Sequence, residues 1–462
     1  MGKVDTALVR GLKAIVGERR CLTAYEDLRC YSYDMYARGF PDIVVLPENT
    51  EEIRRILSLA YAEGIPVIPR GAGSSLTGGP VPVRGGIALS LTRMNRILEI
   101  SSLDRLARVE PGVVTGEFQK AVLRQGLFYP PNPTSAAFCT IGGNVATNAG
   151  GASGVKYGVT RDYLLGLKTV LSDGRVLETG GRCLKRVTGY DFTQLLCGSE
   201  GLLGVITEIT LRLIPPPEAV RTLLAHYPSV ERAGQTVADM LHTGLIPATL
   251  ELMDGSFLRA VKRVYGLDYP AGSEAALLIE IDGPAAVLAD QQGKIERSCR
   301  KFGALEVRSA QSEAEREILW QARRGGTAAL ARQSKFLLSL DYAVPISAIP
   351  KAVACIQEMA RRRNLDVVVI GHAGDGNLHP MFIYDPDDPE QARRYRDAED
   401  ELCDLMLSLH GTLSGEHGIG MEKARYLQRE ISQVELDLSA GLKRFFDPKS
   451  ILNPGKCEPV AP

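Results

Sequence analysis

Pro69-Arg70-Gly71-Ala72-Gly73-Ser74-Ser75-Leu76-Thr77-Gly78-Gly79 ends the apolar run that begins at Ile65, and its reading decides the fold. A strand that opens into a loop of such small side chains leaves backbone N–H groups accessible. A row of them can cradle a pyrophosphate. Read alone, the stretch is equally compatible with a flexible turn. It is not G-x-G-x-x-G, because Leu76 stands where the third glycine belongs, and a nicotinamide-binding Rossmann site is disfavoured.

Working outward, Ile43 to Leu46 reads as a short strand. Asn49 then caps a helix with Glu52 three positions on, and Ile53, Ile56, Leu57 and Ala60 form its apolar face. Gly64 ends the helix and the chain returns through Ile65 to Pro69. Downstream, Ile87 to Leu91 and Leu106 to Val109 are strand-like, and Asp173-Gly174 within Leu167 to Leu177 marks a hairpin. Further small-residue segments follow: Pro133-Thr134-Ser135, Thr140-Ile141-Gly142-Gly143-Asn144, Asn148-Ala149-Gly150-Gly151, and Gly198-Ser199-Glu200-Gly201-Leu202-Leu203-Gly204-Val205-Ile206. Several backbone-rich segments beside strands can enclose an extended dinucleotide, and turns alone need fewer.

Pro215-Pro216-Pro217 ends this region, because three prolines continue neither a helix nor a ladder. Beyond it the pattern is β-α-β three times: Leu223 to Tyr227, a helix near Ser229 to His242 and Ala248 to Met253; then Ala276 to Ile281, Pro284 to Phe302 and Leu305 to Val307; then Leu337 to Val344, Ile346 to Arg363 and Asp366 to Ile370. Such repeats imply a ferredoxin-like antiparallel sheet with helices on one face. The expected division is residues 1–215, a cap at 216–413, and a segment at 414–462 too short to fold alone that docks onto another part.

The 462 residues suit two or three domains. With 54 basic and 55 acidic side chains no overall field draws in nucleic acid, so any anion site is local. Nine scattered cysteines without a C-x-x-C pair point to reduced thiols and exclude an iron–sulfur cluster of the usual spacing. No apolar run has the ~20 residues of a membrane span. Leu8, Leu12, Ile15 and Val16 read as one face of an amphipathic helix. The expectation is a cytoplasmic protein that reaches a membrane only through a partner.

Three further constellations carry chemistry. In Gly371-His372-Ala373-Gly374-Asp375-Gly376-Asn377-Leu378-His379 a Gly-Asp-Gly reversal lets His372, at the end of one strand, face His379 at the start of the next. In Ser414-Gly415-Glu416-His417-Gly418-Ile419-Gly420 a carboxylate and an imidazole stand between glycines. Two histidines and one carboxylate leave open positions on a divalent ion: zinc first by its nitrogen and oxygen ligands, with iron(II) and manganese also served. In Trp320-Gln321-Ala322-Arg323, Arg323 and Thr327 share a helix face and Lys335 begins the next strand, although a solvated basic helix reads the same way. Asn377 and Asn453 are candidate ligand contacts, or plain turn residues.

The glycine-rich segments before residue 215, in this order, resemble the FAD-binding domain of the vanillyl-alcohol oxidase superfamily. Over nearly its whole length the chain is similar to the FAD-linked D-2-hydroxyacid dehydrogenase family, of the D-lactate dehydrogenase and glycolate oxidase type. The implied fold is α+β: a two-part FAD-binding domain of the vanillyl-alcohol oxidase type plus the ferredoxin-like cap. The resemblance implies that Arg70, Gly71, Ala72, Gly73, Ser74, Ser75 and Gly78 hold the pyrophosphate of a non-covalent FAD. It further implies that Pro133, Thr134, Gly142, Gly143 and Asn144, with Asn148, Gly150 and Gly151, line the flavin side, and that Glu200, Gly201, Gly204, Val205 and Ile206 face the adenosine half. His372, His379 and Glu416 match the family's metal ligands and His417 its base. Arg323, Thr327 and Lys335 match the block that takes the substrate carboxylate. The substrate is then a small D-2-hydroxy acid, and electrons leave to an iron–sulfur subunit, an electron-transferring flavoprotein or a quinone. Two rivals of other classes are a flavin-fold scaffold subunit without turnover and a flavin-free metal hydrolase.

Overall fold

The computed structural model describes residues 4–332 and 336–457. The chain forms two compact units, one of residues 1–149, 159–216 and 416–462 and the other of residues 150–158 and 217–415.

The first unit opens with helix Thr6–Val16, capped by Asp5 and burying Leu8, Leu12 and Val16. Strands β1 (Cys21–Leu22), β2 (Ile43–Val45), β3 (Val67–Arg70) and β4 (Ile87–Ser90) make a sheet in the order β1-β2-β4-β3. The parallel pairs β2/β4 and β3/β4 are bridged by helix Thr50–Glu63, with the expected Asn49 cap and a left-handed Gly64 at its end. Strands β5 (Ile97–Ser101), β6 (Leu106–Val109), β7 (Leu164–Val170), β8 (Val176–Gly180) and β9 (Val205–Arg212) form an antiparallel sheet in the order β5-β6-β9-β7-β8, and the β7/β8 hairpin turns at Asp173-Gly174. The two-part architecture thus appears as two sheets. The C-terminal segment completes their core, with Ile451 and Leu452 buried beside Val67, Val170 and Val205.

The second unit is one antiparallel sheet of β10 (Ala219–Tyr227), β11 (Thr249–Asp254), β12 (Ala275–Gly283), β13 (Glu306–Ser309), β14 (Leu337–Ser339), β15 (Tyr342–Ala343), β16 (Asp366–His372) and β17 (Asn377–Ile383). Its order is β13-β10-β12-β11-β16-β17-β14, with β15 also on β17. Two details depart from the sequence reading. The expected strand Leu337 to Val344 is broken at Leu340-Asp341, where a fully buried aspartate interrupts it. Helices also cover both faces of the sheet. Helices Val230–His242, Ala285–Lys301 and Ile349–Arg362 pack on it as the β-α-β pattern implies. Helices Gly255–Tyr265 and Glu313–Ala331 bring Phe257, Leu258, Val261 and Trp320 onto Met253, Leu278 and Ile370. The reason is legible in β11 and β12: β11 is buried at every position and β12 at all but the last, as two covered faces require. Residues 150–158 belong with this unit, where Lys156 and Tyr157 both bind the carboxylate of Asp282.

Candidate functional site

Beyond β3 the loop keeps its shape through side chains and offers its backbone. The Arg70 guanidinium is buried and donates to the carbonyls of Pro80 (3.3 Å) and Tyr33 (3.1 Å). Burial lowers its pKa, and Asp34 opposes that effect. Asp34 in turn accepts the N–H of Gly78 at 2.8 Å. Arg70 therefore braces the loop from behind. Among the described residues the N–H groups of Ala72, Gly73, Ser74, Ser75 and Leu76 donate to no acceptor. Five consecutive amides without an acceptor are what a bound anionic group requires, and the residues present fit the pyrophosphate of FAD.

The second segment approaches from Thr140, whose side chain caps helix Ile141–Thr147. Gly142 lies so close to Pro111 that a Cβ there would sit 2.5 Å from the proline Cβ and 2.9 Å from its backbone. Asn144 is buried and donates to Thr115 Oγ1 at 2.8 Å. Asn148 ends the helix in the left-handed region and accepts from the Arg161 N–H. Pro133 is buried and Thr134 exposed, while Gly150 and Gly151 lie in the second unit.

Glu200 behaves differently from a plain cofactor contact. It has φ +49°, a region costly for a residue with a Cβ, and is followed by Gly201 at φ +75°. Its carboxylate accepts the N–H of Ile419 at 2.8 Å and of Gly420 at 3.0 Å, the turn just after His417. Burial raises its pKa, against the lowering effect of these donors and Cys457. Gly204, Val205 and Ile206 then run into β9, with both apolar side chains buried. Asn453, at φ +44°, donates to Gly79 O (3.1 Å) and Glu200 O (2.8 Å), and its buried Oδ1 has no partner among the described residues. Lys456 is fully buried, donates to Val81 O, and is pushed down to about 8 by burial.

In the second unit the sheet register builds the other cluster. His372 lies directly opposite Asn377 in the β16/β17 hairpin, and His379 lies opposite Ile370. Side chains two positions apart share a face, so the two imidazoles are diagonal neighbours. Their ring centroids are 5.3 Å apart at 86°. The reversal requires Gly376, at φ +87°, where a Cβ would lie 2.0 Å from Val344 O. On the far side Glu251 of β11 is the direct cross-strand partner of His372. Its Oε1 is 2.5 Å from His372 Nδ1, and its Oε2 is 2.6 Å from Arg323 Nη2. Burial alone would raise the Glu251 pKa, but His372 and Arg323 outweigh it and the net direction is down. His379 Nδ1 is 3.3 Å from Leu340 O. With the proton on Nδ1 of each ring, Nε2 is the lone-pair nitrogen, the arrangement a metal-ligating histidine adopts.

Arg323 is buried, whereas Thr327 one turn on is exposed. Arg323 Nε is buried and has no hydrogen-bond partner among the described residues. Lys335 lies outside the described residues. Asn377 donates from Nδ2 to Asp341 Oδ1 (2.6 Å) and to Tyr342 O, and Ser414 Oγ donates to Asp341 Oδ2 (2.7 Å). Two residues along the chain from Ser414 come Glu416 and then His417, which belong to the first unit, with His417 Nε2 3.7 Å from Glu416 Oε1. Sequence reasoning misses Glu251 and Asp341. Their signal is a carboxylate inside a largely apolar stretch of sequence, a residue type that is almost never fully buried without a partner.

A family model described as an FAD binding domain matches residues 41–180, and one described as the C-terminal domain of FAD linked oxidases matches residues 216–457. Together with the amide-rich loop, these matches define an FAD-linked oxidoreductase. The glycolate oxidase subunit GlcD of Bacillus subtilis is 43% identical over 92% of this chain and 91% of its own. GlcD of Escherichia coli is 37% identical (98% and 91% covered), and a D-lactate dehydrogenase of Anaerostipes hadrus 34% identical (98% of each). The chain belongs to the FAD-linked D-2-hydroxyacid dehydrogenase family, of the glycolate oxidase GlcD and D-lactate dehydrogenase type. Among solved structures, p-cresol methylhydroxylase with substrate bound superposes with a TM-score of 0.82 at 16% identity, covering 98% of this chain and 96% of that one. A 4-ethylphenol oxidase from Gulosibacter chungangensis gives 0.80 at 19%, with the same coverage. At such identities the likeness is one of fold, the vanillyl-alcohol oxidase type. Among the described residues no helix is long and apolar enough to cross a membrane.

Proposed function

We propose that this enzyme oxidises a small D-2-hydroxy acid, D-lactate or glycolate, to the 2-oxo acid and passes the electrons to a separate acceptor. The observation that carries the reading is the buried pair His372 and His379, whose Nδ1 atoms lie 2.5 Å from Glu251 Oε1 and 3.3 Å from Leu340 O, a placement that supports Nε2 as the ligating atom. Glu416 is the third ligand in this proposal. Support for it comes from family likeness, which matches Glu416 to a metal ligand. When bound, FAD supplies a two-electron acceptor and a divalent ion, zinc in the first instance, supplies a Lewis acid that acidifies the substrate hydroxyl.

The chain's own residues do the rest. An imidazole nitrogen of His417 accepts the hydroxyl proton as the Cα–H bond breaks, so that negative charge on oxygen offsets the positive charge developing at Cα. The Glu200 carboxylate holds the turn behind His417 and limits where that ring can move. Arg323 offers the substrate carboxylate a buried donor, its Nε, while Glu251 holds Nη2. Thr327 and Lys335 are assigned to the same carboxylate by family likeness. The nine scattered cysteines offer no iron–sulfur cluster of the usual spacing, and the proposed acceptor is an iron–sulfur subunit, an electron-transferring flavoprotein or a quinone. A cytoplasmic enzyme that meets the membrane through that acceptor fits this reading.

Anaerobic mixing of the purified yellow protein with D-lactate or glycolate tests the proposal. Bleaching of the flavin bands that a chelator abolishes, without loss of FAD, is the expected result. Bleaching by D-2-hydroxyglutarate alone would move the substrate to a larger dicarboxylate. No bleaching by any 2-hydroxy acid would favour a scaffold subunit.

A further inference from the structure

We infer that Glu251 is a positioning residue that couples the metal ligand His372 to the substrate anchor Arg323, an inference that rests on the ligand assignment proposed above. Glu251 is 1% exposed and sits in the middle of β11, between apolar neighbours. A carboxylate so placed is retained only when both oxygens are engaged by cationic or donor groups. Here each oxygen has its own partner, His372 Nδ1 at 2.5 Å and Arg323 Nη2 at 2.6 Å.

The geometry gives Glu251 two consequences. Accepting the Nδ1 proton fixes His372 in the tautomer whose Nε2 lone pair ligates, orients the ring, and makes that nitrogen more basic. The direct pairing of Glu251 with His372 across β11 and β16 makes this orientation a property of the sheet rather than of a loop. Holding Arg323 Nη2 fixes the guanidinium, and its buried Nε, which has no partner among the described residues, remains a donor for a ligand. His379 Nδ1 instead faces the neutral carbonyl of Leu340 at 3.3 Å, with the Asp341 carboxylate farther off at 3.8 Å. His372 Nδ1 is thus in direct contact with a carboxylate.

The test uses the FAD-loaded full chain without substrate. Apo-metal protein is titrated with zinc(II) against a chromophoric chelator, and the cobalt(II)-substituted form is followed by its visible ligand-field bands. Glu251→Gln removes the charge while keeping the shape, and should raise the metal dissociation constant about 10- to 100-fold and shift the cobalt bands, with FAD content unchanged. In turnover the same variant should also raise KM, because Arg323 loses its brace. If Glu251→Gln does not yield folded protein, Glu251→Asp keeps the charge but withdraws it from His372, and should weaken zinc binding while retaining FAD. Metal affinity and cobalt spectrum equal to wild type in either variant overturn the role of Glu251. A wild-type protein that takes up no divalent ion overturns the ligand assignment itself.

Discussion

Replacing Glu200 by glutamine tests whether the turn behind His417 is held by charge. In the wild type Oε1 accepts from the Ile419 N–H and Oε2 from the Gly420 N–H, at 2.8 and 3.0 Å. Glutamine can accept only one of these, and its amide group then meets the other N–H donor to donor. A hydrogen bond to a charged acceptor contributes about 1.5–3 kcal/mol, and an orphaned enclosed N–H costs a similar amount. Burial raises the Glu200 pKa, which discounts the charge assistance, so a loss in the lower half of that range is expected. For a unit of this size each kcal/mol corresponds to about 2–4 °C. Glu200→Gln should therefore lower the Tm of the FAD-loaded protein by roughly 3–8 °C. His417 stands two residues before Ile419, so anaerobic flavin reduction by substrate should slow as well, with FAD still bound. An unchanged Tm together with an unchanged reduction rate would refute the assignment of Glu200 as the clamp of this turn.

The remaining predictions concern cofactor, base and pH. Acid precipitation should release FAD into the supernatant, since Ser75 and its neighbours in the loop include no histidine or cysteine to carry a covalent link; colour retained in the pellet would contradict this. Gly142→Ala forces a Cβ against the Pro111 backbone, which cannot swing aside, and should destabilise by about 1–3 kcal/mol and lower the FAD retained on gel filtration. His417→Asn should slow flavin reduction by about 10²–10⁴-fold at unchanged FAD and metal content, and a near wild-type rate would move the base elsewhere. Burial pushes the His226 imidazole from its ordinary 6.5 down to about 4. The unfolded chain therefore binds a proton before the folded one, and stability complete above pH 6.5 is lost as the pH falls toward 4. At about 1.4 kcal/mol per pH unit the loss is about 2 kcal/mol at pH 5. His226→Phe, which keeps a ring against Tyr269, should remove that share of the Tm decline between pH 7 and 5.

Local spelling decides what can be read from the sequence. Asn49 with Glu52, Gly64, Asp173-Gly174 and Gly376 each act within a few residues, and the helix and the two hairpins they mark are present. Helix Pro389–Ser408 is spelled as clearly, by Asp388 before Pro389 and by Tyr395, Ala398, Leu402 and Met406 at helical spacing, yet it lies beyond the three β-α-β repeats into which the pattern divides the unit. Glu251 is beyond this kind of reading because its partner His372 is 121 positions away and the two meet only through the pairing of β11 with β16. Asp341 is concealed in the same manner, since its neighbours Asn377 and Ser414 come from other parts of the chain. What the sequence does contain is the anomaly itself: an acid inside Thr-Leu-Glu-Leu-Met-Asp and another in Leu-Leu-Ser-Leu-Asp-Tyr, each in a run that a sheet covered on two faces must bury. A buried acid has to find a cation or donors. The way to find such residues is therefore to ask which charges a strand cannot bury alone.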